Sequence, residues 1–392
     1  MIEPTTEQDL SEAVRDASGP LSIRGGGTRG MAPATGEVLS LAGLSGISLY
    51  EPGALTIVAA AGTPMSEIDA ALAPEGQMLP FEPMDHRTVL GTTGTPTIGG
   101  VVGANVSGPR RLRAGGCRDS LIGVRFVDGR GDALKNGGRV MKNVTGYDLV
   151  KLLCGSYGTL GVLSEVSFKL LPKPVATGVV SLRSLSLGDG VAAMAAALGS
   201  PFEVSGAAMT PATDDAPSAV KLRLEGFESS VSYRGAQLQA ALARFGDAEM
   251  ALGGEDDWRA VRDVTAFADK TCVWRVAIKA SDVPAMLEDG IWPKFACDAL
   301  LDWGGGLVWI GCDDAQLSSI ADDPMAGAAS LHNALQGHMQ SVGGHATLVK
   351  GPDALKSSVP VFQPEAAPLV ALANGLRAQF DPRGILNPGV MG

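Results

Sequence analysis

The sequence is short of what would tie it to a polymer, a membrane or an internal metal cluster. Lys and Arg number 31 against 42 Asp and Glu, a formal charge of −11. The broad positive surface that displaces counterions from nucleic acid is therefore missing, although a small anion needs only a few local donors. No apolar run reaches the ~18 uncharged residues of a membrane span. The start, MIEPTTEQDLSEAVRD, carries acids where a secretory leader would carry a basic flank and an apolar stretch. A cytoplasmic protein is the expectation.

Cysteine and histidine are equally scarce. Cys117, Cys154, Cys272, Cys297 and Cys312 form no C-x-x-C pair and no ferredoxin-like run, which argues against an iron–sulfur cluster within the chain. Five is an odd number and the positions are scattered, so reduced thiols, mostly buried as small hydrophobes, are expected. The histidines are His86, His332, His338 and His345 alone. His332 and His338 do not share a helical face, and no metal site is expected.

What is present is enough apolar material for more than one core: 392 residues, 45% hydrophobic, for which two domains are the natural expectation. The pattern predicts a helix over Thr6–Ala17 with Leu10 and Val14 on one face, then a strand, LSIR, at Leu21–Arg24. Strands follow at Val38–Leu41, Ile47–Tyr50 and Leu55–Ala60, then a helix from Pro64 with Thr63 as its N-cap. A hairpin from Ile122–Val127 through DGRGD, a helix near Tyr147–Cys154 and a strand over Val162–Leu171 complete the first part. Pro172-Lys173-Pro174 is a stiff connector and marks the boundary.

Beyond it the order is strand, helix, strand, strand, helix, strand, a unit that the pattern allows to occur twice. Strands are predicted at Val179–Leu182, Val220–Leu224, Val273–Ile278, Leu307–Ile310 and Ala346–Val349, and helices at Gly190–Leu198, Ser230–Phe245 and Asp256–Phe267. Such an order favours an antiparallel sheet with helices on one face, an α+β arrangement. The tail, FDPRGILNPGVMG, reads as a loop fixed by docking.

The loop after the first strand, RGGGTRG at Arg24–Gly30, contains G-x-G-x-x-G. A Rossmann site requires those glycines to open a helix, yet Pro33 and Gly36 stand where the helix interior would be. Consecutive glycine amides can instead converge on an anion as a nest. Thr28 would add a hydroxyl and Arg24 or Arg29 a charge. The competing reading is a mobile surface turn. Gly26→Val is the substitution the sequence offers to separate them, by blocking a diphosphate in a chain that still folds.

Other segments bear on that choice. TIGGVVGANVSGPRR (Thr97–Arg111), YDLVKLLCGSYGTLGVLSEVSFKLLPKP (Tyr147–Pro174) and DPRGILNPG (Asp381–Gly389) resemble, in order and spacing, the FAD-contacting segments of vanillyl-alcohol-oxidase type flavoproteins, the PCMH-type FAD-binding superfamily. GQMLPFEP (Gly76–Pro83), SGPRR (Ser107–Arg111), VMKNVTGYDL (Val140–Leu149), LLDWGGGLVWI (Leu300–Ile310) and GGHATL (Gly343–Leu348) extend the likeness over the whole chain. Together they resemble the FAD-binding (E) subunit family of bacterial glycolate oxidases.

The resemblance implies residues 1–172 as a two-subdomain FAD-binding domain, 175–375 as an antiparallel, ferredoxin-like α+β cap, and 376–392 as a segment returning to the FAD domain. It implies that Arg24, Gly25, Gly26, Gly27 and Thr28 wrap the FAD pyrophosphate. Ile98, Gly99, Gly100, Asn105, Ser107 and Gly108 would line the flavin and ribityl chain, Gly161 and Val162 would meet the adenine end, and Asn387 would approach the ring edge. FAD would be held non-covalently, since no His or Cys matches a flavinylation position. The implied partners are a catalytic flavoprotein subunit and an iron–sulfur subunit of glycolate oxidase, through which a cytoplasmic chain could reach the inner membrane.

Oxidation of a 2-hydroxy acid on a flavin needs a cation for the carboxylate and a base for the hydroxyl proton. His345 is the candidate base and Arg275, in the VWRVAI strand, the candidate clamp; a structural histidine and a solvent-facing arginine are the competing readings. Arg110, Arg111 and Arg113 are expected at FAD phosphate, at a partner or on a solvated face. The histidine-rich metal segment of related D-2-hydroxy-acid dehydrogenases is reduced here to His345. An FAD-bearing subunit of a glycolate oxidase complex is thus the first reading. A self-sufficient flavoenzyme for glycolate or D-lactate is the alternative, and a UDP-N-acetylmuramate dehydrogenase-like reductase the third.

Overall fold

The computed structural model describes residues 1–30, 35–138, 146–289 and 297–391. Pro33 and residues 140–145 of the VMKNVTGYDL segment lie outside them. The chain opens as its first residues dictate. Thr6 accepts a hydrogen bond from the Asp9 amide at 3.1 Å while Asp9 Oδ2 accepts from the Thr6 amide at 3.0 Å, a reciprocal cap on the helix Glu7–Asp16. Leu10 and Val14 on its inner face are fully buried.

The strand Leu21–Arg24 pairs in parallel with Glu37–Ser40, and on its other side the tail docks as expected. The Leu21 amide donates to Ile385 O at 2.7 Å, and the Asn387 amide to Leu21 O at 3.0 Å. A five-stranded antiparallel sheet follows, in the order Ile47–Glu51, Thr56–Ala60, Val162–Lys169, Leu121–Val127, Ala133–Gly137. Phe81, Phe126 and Phe168 anchor its core, with the Phe81 and Phe168 rings 5.4 Å apart. Thr63 does not cap the next helix. That helix is Met65–Leu72 with Pro64 at the cap, and the Thr63 hydroxyl instead donates to Ala60 O at 2.7 Å and accepts from the Gly46 amide at 3.0 Å.

After a short pairing of Leu171–Pro172 with Gln77–Met78, the chain enters an eight-stranded antiparallel sheet. Its order is Ala248–Leu252, Ala176–Arg183, Ala219–Gly226, Gly206–Thr210, Asp298–Asp302, Leu307–Cys312, Cys272–Ala277, His345–Lys350. The strand–helix–strand–strand–helix–strand unit does occur twice, and the halves meet where Met209 pairs with Leu301. Helices Leu187–Leu198, Glu228–Leu242 and Pro324–Val342 are rooted in the core on one face. On the other face Val273, Leu300, Leu307, Trp309 and Val349 of the second half join the core of the five-stranded sheet. One side of this large sheet therefore roofs the first half of the molecule.

The expectation of reduced cysteines is corrected at one pair. Asp298 pairs with Gly311, so the next positions outward, Cys297 and Cys312, face each other and are joined by a disulfide. Cys117, Cys154 and Cys272 are free and buried, as expected of small hydrophobes.

Buried charge ties the roof to the base. Arg223, 2% exposed, donates to both Glu82 oxygens at 3.0 Å, and Arg110 Nε donates to Glu225 at 3.1 Å. Arg223 also stacks 4.7 Å from the Trp258 ring centroid. Removing one partner leaves the others buried and uncompensated. Arg223→Met is expected to cost about 3–5 kcal/mol, read from urea unfolding, whereas exposed Arg259→Met is expected to cost well under 1 kcal/mol.

Candidate functional site

The strand Leu21–Arg24 delivers its glycine loop to the mouth of a cleft of about 490 Å³. Of the residues singled out from the sequence, Arg24, Gly25, Gly26, Gly27, Thr28, Gly99, Gly100, Gly161 and Asn387 line it. Gly26 is required by close approach: a Cβ there would fall 1.5 Å from the Thr95 carbonyl oxygen. Gly27 has φ +71°, and its missing Cβ would point into open space.

Anion binding is supported by what this loop leaves unsatisfied. Among the described residues, no amide of residues 25–30 donates to a protein acceptor. The carbonyls of Thr28 and Gly30 are occupied, accepting from Thr92 Oγ1 at 3.3 Å and Lys356 Nζ at 3.2 Å. Free N–H groups beside a cleft suit phosphate oxygens. Each hydrogen bond to a charged group is worth about 1.5–3 kcal/mol. The loop thus fits the diphosphate of FAD, and among the described residues no Cys or His lines the cleft to form a covalent link.

Asn387 is a structural hinge of this site. It adopts φ +45° in the docked tail, accepts from the Ile23 amide at 2.7 Å and donates to Tyr157 O at 2.8 Å. One side chain thereby fixes the strand before the loop and the turn carrying Tyr157.

Other predicted residues stand beside the cleft rather than in its lining. Ile98 and Val162 bury their side chains in the core. Asn105 Oδ1 accepts from the Arg118 amide at 3.2 Å, and Ser107 Oγ from the Cys117 amide at 2.9 Å. The Gly108 amide donates to Phe81 O at 2.9 Å. Arg110 and Arg113 pair with Glu225 and Glu203, while Arg111 stacks on Trp303.

Arg275 is half-buried rather than solvent-facing. It projects from the roof strand towards the base, 5.1 Å from the Trp303 ring centroid, and burial lowers its pKa against the opposing fields of Tyr157 and Asp302. His345 is exposed at the first position of its strand, outside the cleft lining. Arg29 and Tyr157, which the motifs did not single out as a pair, both line the cleft. Arg29 Nε donates to Nδ1 of His86 at 3.1 Å.

Asp302, 3% exposed, lies under the same junction. Burial pushes its carboxyl up to about 7, although it accepts from the Trp303 amide at 2.7 Å and lies near Arg223. In the unfolded chain it ionises near pH 4. Between about pH 4 and 7 the unfolded state alone loses the proton, so stability falls as pH rises through that window, by at most about tenfold per unit. Asp302→Asn keeps an oxygen for Trp303 and removes the titration. It is expected to melt close to the wild type at pH 4 and above it at pH 8.

The fold and the cleft define a flavoprotein of the FAD-binding type. A family model described as an FAD binding domain matches residues 1–137. Over 98% of this chain and 95% of the relative, the sequence is 36% identical to glycolate oxidase subunit GlcE of Escherichia coli. The chain belongs to that family of glycolate oxidase FAD-binding subunits. Glycolate oxidase subunit GlcD of Bacillus subtilis is 33% identical over 44% of this chain and 37% of its own length. Among solved structures, an alkyldihydroxyacetonephosphate synthase superposes with a TM-score of 0.72 at 14% identity, covering 99% of this chain and 76% of that one. That likeness concerns the fold alone. It bears out the α+β arrangement with an antiparallel cap, and the family model supplies FAD binding for the first half. Among the described residues no helix is long and apolar enough to cross a membrane.

Proposed function

We propose that this chain is the FAD-carrying subunit of a glycolate oxidase complex, acting with a catalytic flavoprotein subunit and an iron–sulfur subunit to oxidise glycolate to glyoxylate. The observation that carries this reading is the extent of the likeness. Similarity to the Escherichia coli subunit runs through the eight-stranded half, whereas similarity to GlcD spans less than half of the chain. Residues 1–172 would hold FAD, 175–375 form the cap, and 376–392 return to close the site. Contact with the inner membrane would run through the partners.

Bound FAD supplies the acceptor for a hydride from the α-carbon of a 2-hydroxy acid. The protein's own contribution is binding and exclusion of water. Amides of residues 25–28 would grip the diphosphate, Gly99, Gly100 and Gly161 would line the cleft beside it, and Asn387 locks the tail. Purification of the natively tagged chain from cells is expected to bring down a second flavoprotein and an iron–sulfur protein, with more than one FAD per complex. Recovery of this chain alone, turning over glycolate with an artificial acceptor, would exclude the reading.

A second reading, a self-sufficient 2-hydroxy-acid dehydrogenase with Arg275 as carboxylate clamp, is favoured by the unpaired guanidinium facing the junction. His345→Ala checks the base proposed with it. Slowing of flavin reduction by about 10²-fold or more supports His345 in that role, and an unchanged rate removes it.

A further inference from the structure

Arg110, Arg223 and Arg262 each meet a carboxylate where they are buried. Among the described residues Arg29 and Arg275 form no ion pair, and Asp85 and Asp302 act on them only through their fields. Both are half-buried, and partly desolvating a guanidinium without a direct ion pair is costly. Burial lowers Arg29 to about 10, which leaves it a cation at neutral pH. Its holder, His86, is buried, and burial together with the Arg29 charge pushes that imidazole down to about 3. His86 is therefore neutral, and its Nδ1 is free to accept from Arg29. Arg275 is steadied by Trp303, whose indole N–H donates to Gly108 O at 3.1 Å and whose ring also carries Arg111 at 4.7 Å.

Tyr157 lines the same cleft as Arg29, and the fields of Arg29 and Arg275 both act on it. Arg29 and Arg275 each pull its pKa down, but burial outweighs them and keeps the phenol protonated. Its backbone is pinned at φ +51° by the amide donating to Gly103 O at 2.9 Å and by the carbonyl accepting from Asn387. Its ring stands edge-on to Phe362 at 5.1 Å. Among the described residues the phenol oxygen has no hydrogen-bond partner. A rigidly held donor without an acceptor shares the cleft with a guanidinium that has no ion pair, which suits one anionic ligand.

We propose that Arg29 and Tyr157 complete, with Arg275, a carboxylate site for a 2-hydroxy acid, the Tyr157 phenol donating to the ligand and His86 positioning Arg29. This rests on the reading of Arg275 as a clamp. It adds the opposing arm, which comes from the FAD-binding half, so the ligand is held across the junction between base and roof.

Oxalate is the probe. The full chain loaded with FAD is titrated with it, the visible flavin spectrum is followed, and the dissociation constant is read for the loaded fraction, independently of FAD content. Tyr157→Phe is expected to weaken oxalate about tenfold or more, the worth of one hydrogen bond to a charged group. Arg29→Met is expected to weaken it at least as much. His86→Leu should do the same, and His86→Gln, whose amide oxygen can again accept from Arg29, should recover most of the affinity. Thermal melting checks each fold; should Arg29→Met fail it, Arg29→Lys carries the same arm.

Wild-type affinity in Tyr157→Phe overturns the proposal. So does an Arg29→Met chain that loses FAD while its loaded fraction binds oxalate normally, because Arg29 then serves the cofactor phosphates. Loss of affinity in Arg275→Met but not in Tyr157→Phe defeats this inference alone. No response to Arg275→Met, or no oxalate binding by the wild type, defeats the clamp reading beneath it.

Discussion

A Gly103→Leu chain is expected to fold normally and to purify without colour. Gly103 closes the helix Ile98–Gly103 and lines the cleft, and a Cβ built on it meets nothing within 4 Å. Its φ is not positive, so leucine is tolerated by the backbone and is the better helix former. The side chain would project into the space a flavin needs. Overpacking of that kind costs on the order of 1–3 kcal/mol, or about 5- to 150-fold in FAD affinity. Absorbance at 450 nm after desalting, set beside an unchanged melting curve of the apoprotein, checks it. Gly26→Val cannot serve this purpose. Its Cβ would strike the Thr95 carbonyl, so loss of FAD would follow from a distorted chain whether or not phosphate binds there.

Asn387→Leu is expected to damage both stability and cofactor binding. The substitution leaves the Ile23 amide without its acceptor and Tyr157 O without its donor, in a position 6% exposed. Two buried groups left unpaired cost about 1–3 kcal/mol each. Leucine is also strained at φ +45°. Thermal unfolding should shift down by several degrees, and FAD should be lost on gel filtration. Asn387→Asp keeps the acceptor for Ile23 and is expected to fall between the two. A Leu variant as stable and as yellow as the wild type would mean that the tail does not hold the loop.

Much of the molecule was legible because local chemistry set it. The Thr6 cap with Leu10 and Val14, the hairpin at Leu121–Val127, and the repeated unit after Pro174 all follow from spacing along the chain. What escaped depends on pairing across it. Asp298–Asp302 is not among the strands predicted from the sequence and becomes one because two neighbours supply its ladder. The bond between Cys297 and Cys312 follows from that register and not from any cysteine motif. Thr63 has the right type and position for a cap, but a hydrogen-bonded turn with Gly46 and Ala60 outcompetes the helix for its hydroxyl.

The site divides in the same way. Motif residues gave the glycine loop, because backbone requirements leave a mark in sequence. They also gave Ile98 and Val162, whose side chains are buried in the core beside the cleft. Arg29 and His86 touch across a separation of 57 residues, and nothing local marks that contact. Only the folded chain brings Tyr157 and Arg275 to the same junction.

Amide hydrogen exchange in the peptide covering residues 25–30, measured with and without FAD, tests the central claim most directly. Among the described residues these N–H groups have no protein acceptor, so they should exchange rapidly in the apoprotein and slow strongly once FAD is bound, while the edges of the eight-stranded sheet stay unchanged. Equal exchange in the two states, in a chain shown to have bound FAD, would contradict the account.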